Sequence, residues 1–284
     1  MNPIILSIAD GTTFFVGLVA VIVAEALALR FRNRPARPFL TALAIVGLIL
    51  VVISATPLPL WAYLIWMIPA VAGLVLLNRT ASPRRNQVVS CAVLFASTVG
   101  LCVAEAPYHR CPKLSVPEDT TVYVLGDSIS AGIGTERSWP AILNEITPFR
   151  VVNLAQPGAT VGSAIVQARG IAEPGSLVIV EIGGNDLLGE ADASAFRSKL
   201  DTLVSSLCSD RHQILLLELP LFPFQNAFGQ AQRAMISKYG VAMLPKRYFA
   251  RVLGTKNGTL DGLHLSQAGH DAMANIIAGV IDKK

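Results

Sequence analysis

An α/β domain preceded by a helical membrane domain is the architecture this chain predicts, on three observations. Four apolar stretches fill the chain before residue 107, strand and helix periods alternate after residue 119, and charge divides unevenly between the two parts. Of the 284 residues 52% are hydrophobic and 15% charged, and mean hydropathy is +0.54, too apolar for an ordinary soluble protein. Residues 1–111 carry 8 Lys and Arg against 3 Asp and Glu, a net of +5; residues 112–284 carry 15 against 16, a net of −1. The basic balance thus belongs to the apolar part. The remainder offers no support for the basic face that nucleic-acid binding needs.

The apolar stretches are Thr12–Leu29, Phe39–Ala55, Leu58–Leu77 and Val88–Ala104, each of 17 to 20 residues. That is near the roughly 20 a helix needs to cross the hydrocarbon core. Only Glu25 is charged within them, and the expectation is that it snorkels or pairs with Arg30. Four such runs without a polar face predict four transmembrane helices in residues 1–106 rather than the core of a soluble domain. No Lys or Arg precedes Arg30, so the basic start of a cleaved signal peptide is missing. Arg30, Arg32, Arg34 and Arg37 fill the first connection and Arg79, Arg84 and Arg85 the third, whereas Thr56-Pro57-Leu58-Pro59 holds no charge. Positive loops stay cytoplasmic. This predicts a multi-pass inner (cytoplasmic) membrane protein with both its N-terminus and everything after residue 107 on the periplasmic side; Arg110 and Lys113 oppose this weakly. The lipid bilayer is the expected partner. Gly17, Gly47, Gly73 and Gly100 would allow close helix contact. No broken helix or paired intramembrane charge points to transport, so anchoring is the expected role.

Residues 107–119, with three prolines, read as a linker. Residues 120–284 alternate strands at Thr121–Leu125, Arg150–Asn153, Leu177–Glu181, Gln213–Glu218 and Val241–Leu244 with helices at Ser138–Ile146, Val161–Ala172, Ala191–Cys208, Gly229–Tyr239 and Ser266–Ile281. Nearly unbroken Val/Ile/Leu strands belong to a parallel sheet covered on both faces. The alternation predicts a doubly wound sheet of about five strands, with its site at the carboxyl edge.

The chemistry-bearing segments fall at that edge. Gly126-Asp127-Ser128-Ile129-Ser130 follows the first strand and makes Ser128 the candidate nucleophile. A serine hydroxyl needs a base within hydrogen-bond reach. Asp261-Gly262-Leu263-His264 supplies His264 as base and Asp261, three residues away, as the acceptor that fixes its tautomer. His109, His212 and His270 have no comparable neighbour. Asn153-Leu-Ala-Gln-Pro-Gly158 and Gly183-Gly184-Asn185-Asp186 each follow a strand. The backbone N–H groups of Ser128 and Gly158 and the side-chain amide of Asn185 are candidate donors to an oxyanion. Gly183 and Gly184 read as turn residues, and Asp127 and Asp186 as carboxylates bonded to nearby backbone. No His-x-x-x-His, zinc-spaced Cys pair or carboxylate cluster is present, so neither metal nor cofactor is expected.

These blocks, in this order, resemble the SGNH hydrolases, also called GDSL lipases/acylhydrolases, over roughly residues 120–282. Trp139-Pro140, Val151-Val152-Asn153 and Glu181-Ile182-Gly183-Gly184-Asn185-Asp186 look most like the bacterial periplasmic thioesterase I/lysophospholipase L1 subgroup. Leu265 departs from it, standing where proline is common. The resemblance implies a flavodoxin-like three-layer fold, a Ser128–His264–Asp261 triad and an oxyanion hole of Ser128, Gly158 and Asn185. It does not extend to residues 1–106.

The expected function is therefore membrane-anchored ester hydrolysis through an acyl-Ser128 intermediate. Lipid-like acyl esters such as lysophospholipids are slightly favoured, with Phe222, Phe224 and Phe228 as candidate acyl-groove residues. The alternatives are an O-acetylesterase acting on cell-envelope glycans, or an acyltransferase using the same acyl-enzyme. Cys111 and Cys208 are the cysteines outside the fourth apolar stretch, and in an oxidising compartment they form a candidate bridge against the alternative of two free thiols.

Overall fold

The computed structural model describes residues 3–30, 36–79, 83–189 and 191–283. Arg32 and Arg34 of the first basic connection lie outside the described residues. The chain forms two units, Ser7–His109 with Phe222–Asn226, and Met1–Leu6 with Arg110–Leu221 and Ala227–Lys284.

A short helix α1 (Pro3–Ala9) precedes α2 (Thr12–Arg30), α3 (Arg37–Ile53), α4 (Leu60–Asn78) and α5 (Arg84–Glu105). All four predicted apolar stretches are helical. Thr12–Arg30 and Arg84–His109, of 19 and 26 residues, are long and apolar enough to cross a membrane; Arg37–Ile53 and Leu60–Leu76 are apolar but shorter. Phe14, Leu18, Val21, Val51, Trp66, Ala70 and Leu94 form the interior. Trp66 Nε1 donates to Thr98 Oγ1 at 2.8 Å, satisfying the one polar atom of the largest buried ring. A Cβ on Gly17 would sit 2.6 Å from Gly47 O, and one on Gly47 2.8 Å from Gly17 O, so this pair lets α2 and α3 close on each other as expected. Gly100 has no atom within 4 Å and plays no such part. The expectation for Glu25 is corrected. Glu25 is 5% exposed, its carboxyl lies against Gly73, and its Oε1 has no hydrogen-bond partner. It points inward because Gly73 leaves it room.

The second unit begins at β1 (Leu114–Val116), inside the segment predicted as a linker. There follow β2 (Val122–Gly126), α6 (Ser128–Ala131), α7 (Trp139–Ile146), β3 (Val151–Asn153), α8 (Val161–Gln167), β4 (Leu177–Glu181), α9 (Gly184–Leu188) and α10 (Ala193–Ser209). The chain continues through β5 (Gln213–Leu217), α11 (Asn226–Tyr239), β6 (Ala242–Leu244), α12 (Lys246–Gly254), α13 (Gln267–Ala278) and β7 (Ile281–Lys283). The main sheet is parallel, in the order β3-β2-β4-β5-β6. Counted from β2, this is the doubly wound order 2-1-3-4-5, whose switch point lies between β2 and β4. The end of the predicted last helix is instead β7, which pairs in parallel with β1 as a separate two-stranded ribbon.

Strand alternation divides the core. Val122, Val124, Ile179, Leu215 and Leu217 pack with Trp139 and Leu143 of α7, Phe249 and Val252 of α12, and Met273 and Ile277 of α13. Val178, Val180 and Leu216, equally buried, point to the other face, where α8 and α10 pack. Cys111 belongs to the first core and Cys208 to α10. The two thiols thus lie on opposite faces of the sheet. All four cysteines are free, and the candidate bridge is not formed.

Candidate active site

The loops after β2, β3 and β4 and the loop before α13 carry the candidate residues. Ser128 opens α6 directly after Asp127, whose Oδ1 accepts from Ile129 N at 2.9 Å. This cap fixes the turn by which the chain leaves β2, and Ser128 is only partly covered there. Gly158 has φ +75°, a conformation that favours glycine, and no atom lies within 4 Å of where its Cβ would be. Open space therefore borders its peptide. Gly183 has φ +115°, and a Cβ there would come 2.8 Å from Leu219 Cδ1 and 2.9 Å from Phe196 Cε2. Only glycine makes that turn, and the turn starts the helix that presents Asn185.

The acid and base meet as the sequence predicts. His264 Nδ1 and Asp261 Oδ2 are 2.6 Å apart, and Asp261 Oδ1 accepts from His264 N at 2.8 Å and Leu263 N at 3.0 Å. One carboxylate thus orients both the ring and its backbone. The His264 hydrogen bond, aided by the backbone N–H groups of His264 and Leu263, holds the Asp261 carboxyl well below the usual carboxylate range. Leu260 N bonds back to His264 O at 2.8 Å, and Ser266 caps α13 by accepting from Gly269 N at 3.3 Å, anchoring both ends of the loop. Among the described residues Ser128 and His264 share no hydrogen bond. Such contacts often close only around substrate.

The N–H groups of Ser128 and Gly158 donate no hydrogen bond among the described residues, which leaves both for an oxyanion. Asn185 differs. Its Nδ2 donates to Ala159 O at 2.9 Å and to Asp127 Oδ2 at 3.2 Å, so both amide hydrogens are engaged in this state. Asp186 Oδ2 accepts from Val161 N at 2.9 Å, holding the start of α8 beside the Gly158 loop. Asp127 and Asp186 bond backbone, as read from the sequence.

Phe228 is corrected. It is 3% exposed and its ring lies 4.9 Å from that of Phe196, within the core. The helix begins at Asn226, three residues before the predicted start, which turns Phe228 inward. Phe222 and Phe224 remain exposed. Sequence reading missed the groups behind the nucleophile loop. Ser130 Oγ donates to Glu181 Oε2 at 2.8 Å, and Gln167 spans Gly126 by accepting from its N at 3.0 Å and donating to its O at 2.9 Å. The signal available was a lone glutamate ending an otherwise apolar buried strand. Among the described residues no group of His, Cys, Asp or Glu is placed to hold a metal.

A hydroxyl, an imidazole–carboxylate pair and free backbone donors at one sheet edge are what acyl transfer requires: attack by Ser128, proton transfer through His264, and stabilisation of the tetrahedral oxyanion. Residues 124–272 match the GDSL-like lipase/acylhydrolase family. The esterase TesA of Pseudomonas aeruginosa is 29% identical over 160 residues, covering 51% of this chain and 79% of that protein. An arylesterase of Vibrio mimicus is 24% identical over 171 residues, covering 55% and 84%. The crystal structure of TesA superposes with a TM-score of 0.50 at 27% identity, over 57% of this chain and 97% of its own. The psychrotrophic esterase EstA from Pseudoalteromonas sp. gives a TM-score of 0.51 at 20% identity, covering 57% and 96%, a likeness of fold. The chain belongs to the GDSL-like lipase/acylhydrolase family, through its α/β unit, and is a hydrolase of ester bonds.

Proposed function

We propose that this esterase is a multi-pass inner-membrane protein whose triad Ser128, His264 and Asp261 works on the periplasmic side, on lipid-like acyl esters such as lysophospholipids. The observation that carries the substrate reading is the placing of exposed apolar side chains in the active-site loops. Ile133 follows the helix of Ser128, Leu188 ends the helix of Asn185, and Leu260 and Leu263 flank Asp261. All four are between 43% and 52% exposed. Such side chains favour an acyl chain over a polar glycan. The membrane reading draws support from Val19, Ile49, Ile68, Phe95 and Val103, exposed along α2 to α5, and from the arginines of the first and third connections.

Detergent-solubilised full-length protein assayed on esters from acetyl to octanoyl tests the substrate. Each methylene buried contributes about 0.8 kcal/mol, so kcat/KM should climb about fourfold per carbon while the groove lasts. Best turnover on acetyl esters would transfer the reading to a glycan O-acetylesterase. Acylated glycan appearing only when acceptor is added would transfer it to an acyltransferase. A reporter active only outside the cytoplasm should be active when fused after Lys284 and silent between Arg79 and Arg84; the reverse pattern would overturn the orientation.

A further inference from the structure

Behind the nucleophile loop lies a line of buried polar groups that attack and proton transfer do not use. Asp127 and Glu181 are 3% and 1% exposed, their carboxyls are hydrogen-bonded to each other, and the backbone N–H of Asp127 also donates to Glu181. Trp139 Nε1 donates to Ser130 Oγ at 3.2 Å, and Ser130 Oγ donates to Glu181 Oε2 at 2.8 Å. Trp139 is itself held by its backbone N–H, which donates to Nδ1 of buried His270 at 3.2 Å. At the far end Asp127 Oδ2 receives the Asn185 amide at 3.2 Å. We propose that Glu181 is a positioning residue of the oxyanion site: clamped by Ser130 and bonded to Asp127, it fixes the Asp127 carboxyl and, through it, the Asn185 amide. The proposal rests on the reading of Ser128 as an esterase nucleophile.

Two carboxyls this close and this buried do not both ionise. Burial, and then the charge of Asp127, push Glu181 well above the usual carboxylate range. Burial also raises Asp127, against the Ile129 N–H, the Glu181 hydrogen bond and the charge of His264, which favour its ionised form; Asp186 opposes them. Asp127 already accepts from Ile129 N at 2.9 Å and Asn185 Nδ2 at 3.2 Å, and Glu181 from Ser130 Oγ at 2.8 Å, so the proposal places the shared proton on Glu181, donated to Asp127. This matters because both Asn185 hydrogens are taken in this state. An Asp127 carboxylate already satisfied by an acid proton and the Ile129 N–H is a weaker competitor for the third bond, the longer of the two that Asn185 makes. That hydrogen can then turn to the oxyanion. With Glu181 ionised, two negative charges would hold the amide and oppose the charge developing on substrate. Turnover should accordingly fall as alkaline pH removes the Glu181 proton.

The test is a double-mutant cycle on full-length protein with a p-nitrophenyl ester. Glu181→Leu should lower kcat about 100-fold, near the loss expected for one oxyanion donor, with KM little changed. Glu181→Gln, neutral at every pH, should recover most of that loss and abolish the alkaline fall in kcat. In an Asn185→Ala background, Glu181→Leu should cost less than about threefold more. Equal losses in both backgrounds, or an unchanged alkaline limb in Glu181→Gln, would overturn the proposal. If Glu181→Leu fails to fold, Glu181→Gln and its pH profile decide. If wild type and Ser128→Ala are equally inert, the esterase reading falls. The positioning is then judged from the side-chain amide resonance of 15N-labelled Asn185, which should move with alkaline pH in wild type and stay fixed in Glu181→Gln; an unmoved wild-type resonance would overturn it.

Discussion

The two units use apolar residues in opposite ways. In β4 of the α/β unit Leu177, Val178, Ile179 and Val180 are all 0% exposed, and the buried polar groups Asp127, Asp186 and Gln167 each bond backbone. In the helical unit Ile68 and Val103 are 69% and 67% exposed, while Glu25, an acid, is buried with Oε1 unpartnered. A water-facing fold hides its apolar surface and satisfies what it buries. The helical unit leaves apolar side chains bare along its helices, which is what an apolar solvent around it would permit. Chemistry therefore belongs to the first unit, the proposal gives attachment to the second, and substitutions should separate them.

The largest expected effect is catalytic. Ser128→Ala should lower kcat on simple esters by about 10⁴ or more with an unchanged thermal midpoint, and His264→Ala should lose nearly as much, because such groups act as a unit. No substitution confined to α2–α5 should approach this. Ordinary turnover in Ser128→Ala would break the division at its root.

Next comes a contrast between aromatic rings six residues apart or closer. Phe228→Ala empties a place beside Phe196 in the core and should cost about 3–5 kcal/mol in denaturant unfolding. Phe222→Ala with Phe224→Ala should change stability by less than about 1 kcal/mol. The pair should instead flatten the rise of kcat/KM with acyl length while sparing acetyl esters. Equal losses on both esters would mean that the exposed rings serve packing.

The helical unit gives a smaller contrast of the same kind. Gly17→Leu forces a side chain where Gly47 O stands 2.6 Å from the Cβ position, whereas Gly100 has nothing within 4 Å. Overpacking of this type costs about 1–3 kcal/mol. Gly17→Leu should lower the thermal midpoint of the detergent-solubilised chain and Gly100→Leu should not. Equal behaviour would deny that α2 and α3 meet through glycine.

What the sequence made legible follows from signal strength. Leu177–Glu181 is a strand at its predicted bounds because five residues bury both faces and carry a plain apolar run. β1 and β7 escaped because Leu114–Val116 lies between Pro112 and Pro117, and Ile281 is followed by the charged Asp282 and Lys283. α12 escaped because Pro245 precedes it and only nine residues follow. The Asp261–His264 contact was legible from a three-residue spacing. The bonds of Glu181 were not: Ser130 is 51 residues away, and only the strand order brings β2 beside β4. The occupied state of the Asn185 amide needs Ala159 and Asp127, from two other loops, and no local pattern encodes it.

The smallest expected effect concerns acid. Asp261 is held well below the usual carboxylate range, chiefly by its bond to His264. The sign follows from linkage: a depressed folded value means that the contribution of Asp261 is complete above about pH 4, the ordinary aspartate value, and is lost only as pH falls through the lower folded one. Between pH 7 and pH 5 Asp261 therefore stays ionised and takes up no proton. The acid limb of kcat/KM should fall with a slope of one in log units, reporting the free enzyme. Asp261→Asn should lower the plateau without adding a second proton to the limb. A limiting slope of two in wild type would mean that Asp261 gains a proton within that limb, and that the carboxylate does not stay ionised through the working range of the base.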